Sequence, residues 1–134
     1  MEAFFAAVRI LVVEDNRMNR DIVERQLRRV GCTQIATVTN GQEALDWLRQ
    51  HRCDIIVTDC QMPVMDGYEM TRRIRSVEHG GALRLYIIAL SASAMDEDIA
   101  RCFSVGMDAH VAKPTQLAAI REALEKAAAA GLVQ

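Results

Sequence analysis

Five short apolar runs alternate along this chain with stretches whose apolar residues recur at helical spacing, and that alternation limits the fold more than any other feature. Ile10-Leu11-Val12-Val13, Ile55-Ile56-Val57 and Leu85-Tyr86-Ile87-Ile88-Ala89-Leu90 are continuous, as strands covered on both faces are. Residues 35–38 and 109–112 are shorter and weaker, as strands nearer a sheet edge are. Between these runs, Met18, Ile22, Val23, Leu27 and Val30 mark one face of a first helix, which Gly31 ends. A second helix follows the cap Asn40 and carries Ala44, Leu45 and Leu48 on one face, with Trp47 beside them. Asp66-Gly67 opens a third, with Met70 and Ile74 inward and Arg72, Arg73 and Arg75 mostly outward. A fourth runs from about Met95 to Val105 and stops at Gly106. The last starts near Thr115, buries Leu117, Ile120 and Leu124, and runs on to Ala130. Five strand–helix units with short connections predict an α/β fold: a doubly wound parallel sheet with helices on both faces, because each parallel pairing needs a right-handed crossover.

The chain has 134 residues, 51% hydrophobic and 25% charged, which suits one globular domain able to bury a core without disulfide or metal staples. A net charge of −2, no long basic run and 4% aromatic residues leave nucleic acid a poor partner. Arg25, Arg28 and Arg29 have the spacing of a solvated helix face. No apolar stretch reaches the roughly 20 residues of a membrane span. Residues 3–8 are apolar but lie between Glu2 and Arg9 with no small-residue cleavage site, so the chain is expected in the cytoplasm. Cys32, Cys53, Cys60 and Cys102 form no C-x-x-C pair, and free thiols are expected in place of a zinc site or redox dithiol.

The residues that follow each apolar run are the most telling. Glu14-Asp15 follows the first strand, Asp59 ends the third, Ser91 follows the fourth and Lys113-Pro114 follows the fifth. In an open parallel sheet these carboxyl ends line the crevice where ligands bind. Each residue alone fits an ordinary loop; together they predict one site. Carboxylates 5 Å apart repel by about 3 kcal/mol per pair at an effective dielectric constant near 20, so a cation must offset them. A hard divalent ion suits an all-oxygen cluster, and magnesium keeps waters and accepts a phosphate oxygen. With Lys113 it balances the three carboxylates. Phosphoryl transfer is the chemistry this suggests, with Asp59 as the best candidate for a carboxylate acceptor and Glu14 and Asp15 better suited to the metal.

Leu11-Val12-Val13-Glu14-Asp15-Asn16, the run from Asp59 to Gly67, Ala89-Leu90-Ser91-Ala92 and Lys113-Pro114 together resemble the receiver domains of two-component response regulators. The resemblance covers about residues 8–130, leaving 1–7 and 131–134 as short terminal extensions. It implies a flavodoxin-like (βα)5 fold with strand order 2-1-3-4-5. It also implies that Asp59 accepts a phosphoryl group from a phosphohistidine, and that Asp15, Asp59 and the backbone carbonyl of Gln61 ligate magnesium, with Glu14 acting through water. Manganese can substitute. Ser91 and Lys113 then contact the phosphoryl oxygens, and a cis Lys113-Pro114 bond is expected. Such a domain catalyses its own phosphorylation and a slow autodephosphorylation.

Asn16, Asn19 and the run from Gln61 to Gly67 look like receivers of hybrid sensor histidine kinases, which pass phosphate to a histidine phosphotransfer domain. The partners implied are a histidine kinase or a phosphotransfer domain, with phosphorylation-dependent dimerisation a further option. The chain is then free-standing or the cytoplasmic part of a membrane-anchored kinase. Met18, Asn19 and Ile22 are candidates to meet the phosphotransfer helix. His110 stands where many receivers carry an aromatic switch residue, so it either reads out the Ser91 movement with a pH dependence or is a bystander. By family position Gln61 and Ser93 flank the attacking water and tune hydrolysis. Three rivals are weaker or distinguishable. Flavin binding conflicts with the acidic first loop, an aspartate-dependent phosphatase lacks a second carboxylate at Gln61, and an unphosphorylated pseudo-receiver, acting only as an interaction module, would be expected to have lost part of the acid–lysine set.

Overall fold

A computed structural model describes residues 1–78, 84–92 and 95–131. Strands β1 (Arg9–Val13), β2 (Gln34–Val38), β3 (Ile55–Asp59), β4 (Tyr86–Ser91) and β5 (Ala109–Ala112) form one parallel sheet in the order β2-β1-β3-β4-β5. The strand order reverses between β1 and β3, where Ile10 pairs with Ile55 and Val13 with Thr58. That is the topological switch point at which such sheets open a crevice.

Six helices are present among the described residues: α1 (Glu2–Ala7), α2 (Arg17–Val30), α3 (Gly41–Leu48), α4 (Gly67–Val77), α5 (Asp96–Ser104) and α6 (Leu117–Ala129). Side chains leave a strand alternately up and down, so β1 feeds two cores. Ile10 and Val12 join Val23, Leu27, Ile120 and Leu124 beneath α2 and α6, while Leu11 and Val13 join Ala44, Met70 and Cys102 beneath α3, α4 and α5. The continuous apolar runs of β1, β3 and β4 follow from that double cover. Asn16, Asn40 and Asp66 each cap a helix by accepting from the N–H three residues on, at 3.0, 2.9 and 2.8 Å. No helix among the described residues is long and apolar enough to cross a membrane.

Four local readings need correction or extension. The amino-terminal extension is a helix: Phe5 is 1% exposed inside the α2–α6 core, and Thr33 Oγ1 and Gln34 Nε2 donate to the carbonyls of Ala6 and Ala7. Leu117, expected inside, is 38% exposed, because the buried face of α6 begins at Ile120. Arg75, expected mostly outward, turns inward and donates to Glu78 Oε1 (2.6 Å), Asp108 Oδ2 (2.8 Å) and the carbonyls of Leu85 and Gly106. Arg84 also pairs with Asp108, so two cations there share one carboxylate. Met18 sits on the exposed side of α2 at 71%, outside the face defined by Val23 and Leu27.

One glycine bears directly on the crevice. After β3 the chain loops back so that Gly67 N–H donates to the Cys60 carbonyl at 3.0 Å, and a Cβ at Gly67 would run into the Asp59 carbonyl. Gly67→Ala must therefore push the end of β3. We expect a loss of about 2 kcal/mol, typical of overpacking against backbone. Denaturant titration of the parent and the variant checks it; equal midpoints would refute it.

Candidate functional site

The carboxyl ends of β1, β3, β4 and β5 converge as the topology requires. Glu14, just past β1, is fully buried; Asp15 beside it is exposed; Asp59 closes β3 and Ser91 closes β4. Lys113, one residue beyond β5, reaches across the crevice and places Nζ 3.0 Å from Asp59 Oδ2 and 3.1 Å from Glu14 Oε1. Its own N–H donates to the Ser91 carbonyl at 2.9 Å. The Lys113-Pro114 peptide bond is cis, as expected.

Glu14, Asp15 and Asp59 each offer an oxygen, and these atoms all lie within 4.8 Å of one another. Burial is the largest influence on Glu14 and pushes its carboxyl above the usual carboxylate range, and the Asp59 charge adds to it. The Asn16 N–H at 3.1 Å and the Lys113 ammonium pull it back without prevailing. Burial by itself would lower Lys113, but its hydrogen bonds and charge pairing with Asp59 and Glu14 outweigh that and hold it above the ordinary lysine value. One ammonium among three carboxylates leaves the cluster short of positive charge. An all-oxygen donor set with that deficit fits a hard divalent cation.

This imbalance has a pH signature in the metal-free protein. Glu14 binds its proton more tightly folded than unfolded, so its share of the stability is full below about pH 4.5 and falls as pH rises through its raised folded value. Lys113 acts in the opposite range, since its share is lost only above about pH 10.5. Glu14→Gln should therefore melt higher than the parent at neutral pH, with the difference shrinking in acid. Calorimetry without metal checks this, and parallel melting curves at all pH values would refute it.

A cleft of about 490 Å³ opens over Asp59, lined by Gln61, Tyr68, Ser91, Asp98 and Lys113. Tyr68 and Asp98 were not foreseen from sequence. The Arg101 guanidinium lies 3.9 Å from the Tyr68 ring centre, a cation–π contact joining α5 to α4. Arg20 was also missed: its Nη1 donates to the carbonyls of Glu14 (3.0 Å) and Asp15 (3.3 Å), fixing the acidic loop from α2. A basic residue one turn into a helix gives no sequence signal for that role.

His110, on β5, lies outside the cleft. It pairs in register with Ala89 and lines a groove of about 380 Å³ with Phe103 of α5 and Glu122 and Lys126 of α6. Its Nε2 is buried without a hydrogen-bond partner, and burial holds its pKa below the usual histidine value. Ser93 lies outside the described residues. All four cysteines are free, and burial pushes Cys60 up to about 12, with the Cys102 Sγ at 3.7 Å adding to the rise. The thiol next to Asp59 is thus kept protonated.

Comparison with known proteins agrees with this geometry. Residues 10–125 match the family model of the response regulator receiver domain. The chain is 41% identical over 118 residues to hybrid signal transduction histidine kinase A of Dictyostelium discoideum, a match covering 87% of this chain and 5% of that protein. The chain thus spans a small part of the relatives it matches. Among solved structures, the receiver domain of sensor histidine kinase PA1611 from Pseudomonas aeruginosa, with magnesium coordinated in its active-site cleft, superposes with a TM-score of 0.79. It shares 39% identity, covering 90% of this chain and 97% of that one. The receiver domain of Ssk1 from Saccharomyces cerevisiae, crystallised with the histidine phosphotransfer protein Ypd1, has a TM-score of 0.86 at 26% identity, covering 96% and 94%.

Proposed function

Because the chain belongs to the response regulator receiver family, we propose that it is the phosphoacceptor of a two-component phosphorelay, with Asp59 taking the phosphoryl group from a phosphohistidine. The observation that supports this most is the Lys113 ammonium, which bridges Asp59 and the buried Glu14 beside an open cleft. An Asp59 carboxylate oxygen attacks phosphorus, the phosphorus–nitrogen bond breaks, and the leaving imidazole takes up a proton. Lys113 and the Ser91 hydroxyl hold the phosphoryl oxygens as their charge grows. Asp15, Asp59 and the Gln61 backbone carbonyl would hold magnesium, with Glu14 acting through water. The metal, for which manganese can substitute, supplies positive charge to the transferring group.

The relatives, among them a hybrid histidine kinase, support such a kinase as the parent protein, and a cytoplasmic setting for this chain belongs to the same proposal. The phosphoryl group then passes to a phosphotransfer domain, or it alters partner binding or dimerisation. At the open end of α2, Met18 and Ile22 offer exposed apolar surface, with the half-buried polar Asn19 beside them, for a phosphotransfer helix. Gln61 orients the water that hydrolyses the aspartyl phosphate, and Ser93 is too short to shield the phosphoryl group, so hydrolysis is neither extreme nor negligible. His110 either modulates the Ser91 movement or is a bystander.

Incubation with magnesium and a small acyl or amide phosphodonor should add one phosphoryl group that is stable in acid and labile in base. A chain that takes no label at any magnesium concentration is instead a pseudo-receiver.

A further inference from the structure

Lys113 bridges two carboxylates across the crevice from the end of a short edge strand. β5 is a four-residue edge strand bonded to β4 alone. The Lys113 N–H is anchored to the Ser91 carbonyl, but Pro114 has no N–H to give. The next tie comes from the opposite side. Gln26 Nε2, on α2, donates to the Thr115 carbonyl at 2.8 Å, and Thr115 Oγ1 donates back to Gln26 Oε1 at 2.7 Å. A carbonyl can only accept, so the amide has a single orientation here, and both of its ends are engaged by one residue. The pair is half-buried, and 89 positions of sequence separate its members.

α2 holds the other side of the site as well. It starts directly after the acidic loop, and its Arg20 fixes the carbonyls of Glu14 and Asp15. Arg20 and Gln26 are six residues apart, about 9 Å along the helix axis. One helix therefore ties the backbone of the acidic loop near its first turn and the lysine turn farther along, and so links the two sides of the crevice.

We propose that Gln26 is a positioning residue for phosphoryl transfer: by clamping Thr115 to α2 it holds the Lys113-Pro114-Thr115 turn where the ammonium meets Asp59. This rests on the phosphoacceptor reading above. Nothing in the receiver motifs of this chain contains Gln26, and its effect is exerted only through the lysine.

Gln26→Leu keeps the side-chain bulk and removes both hydrogen bonds. It should slow magnesium-dependent labelling by about tenfold and weaken binding of beryllofluoride, an unreactive phosphoryl stand-in, by a similar factor. Magnesium affinity in the absence of phosphodonor should stay within about twofold, because Arg20 holds the backbone of the acidic loop independently of Gln26. Gln26→Glu, which keeps only the acceptor for Thr115 Oγ1, should fall between. Thr115→Val removes the hydroxyl alone; it should show a smaller loss of the same kind and serves if Gln26→Leu does not fold. In a Lys113→Met background, Gln26→Leu should cost nothing further.

Labelling within about twofold of the parent, an equal loss with and without Lys113, or a parallel fall in magnesium affinity would each overturn the proposal. If the parent itself takes no label, the phosphoacceptor reading fails, and the beryllofluoride comparison still decides the role of Gln26.

Discussion

Asp59→Asn should take no phosphoryl label and, without metal, should melt higher than the parent. The first outcome follows from chemistry, since an amide oxygen is a poor nucleophile and cannot form the acyl phosphate. The second follows from charge. Asp59 lies with Glu14 and Asp15 in a cluster whose oxygens are within 4.8 Å of one another, so neutralising it removes two repulsions and one attraction to Lys113. Each close pair is worth about 3 kcal/mol at an effective dielectric constant near 20, and the net gain after partial cancellation is about 1 kcal/mol. The amide oxygen still accepts from the ammonium, so the lysine keeps a hydrogen bond in place. Magnesium should stabilise the variant less than the parent, because one ligand is gone. A variant that still labels would move the acceptor elsewhere, and one that melts lower without metal would show that the lysine contact outweighs the carboxylate repulsion.

Lys113→Met should have the opposite effect on stability and a similar effect on chemistry. It leaves Glu14 fully buried with no cation at 3.1 Å and removes the partner of Asp59. Breaking a buried pair from one side costs about 3–5 kcal/mol, and the lower end applies because 21% of the lysine side chain is exposed. Labelling should slow by roughly 100-fold or more, the cost of losing one preorganised group that meets developing charge. Magnesium should raise the melting temperature of this variant more than that of the parent, since it then replaces the positive charge that Lys113 held between Asp59 and Glu14. Equal magnesium shifts in the two proteins would contradict this account of the charge balance.

Much of the arrangement is legible in the sequence because it follows from two simple causes. Strands covered on both faces must be continuously apolar, which marks β1, β3 and β4, and parallel topology forces their carboxyl ends together, which gathers Glu14, Asp15, Asp59, Ser91 and Lys113. What escapes is whatever depends on partners far apart in the chain or on elements too short to show a period. α1 has six residues, too few for an amphipathic pattern to stand out, so the burial of Phe5 is visible only in three dimensions. Arg75 has the spacing of a solvated helix face, and its inward turn depends on Asp108, 33 positions away. Met18 lies nine residues, two and a half turns, before Leu27, which puts it on the opposite, exposed side of α2 although both read as apolar helix positions. Gln26 and Thr115 carry no signal singly, and only the fold makes them a pair.

The long span between Glu14 and Lys113, 99 positions, matters to a chain still being made. A ribosome releases β1 and β3 well before β5, so Glu14, Asp15 and Asp59 are out of the tunnel while Lys113 is not. Any sheet that forms early is self-repelling at its open end and has no lysine to hold a phosphoryl group. The edge strand, the weakest by length, thus completes both charge neutrality and competence for transfer in one late step. Under the proposed chemistry, a nascent or prematurely truncated chain would be silent in signalling.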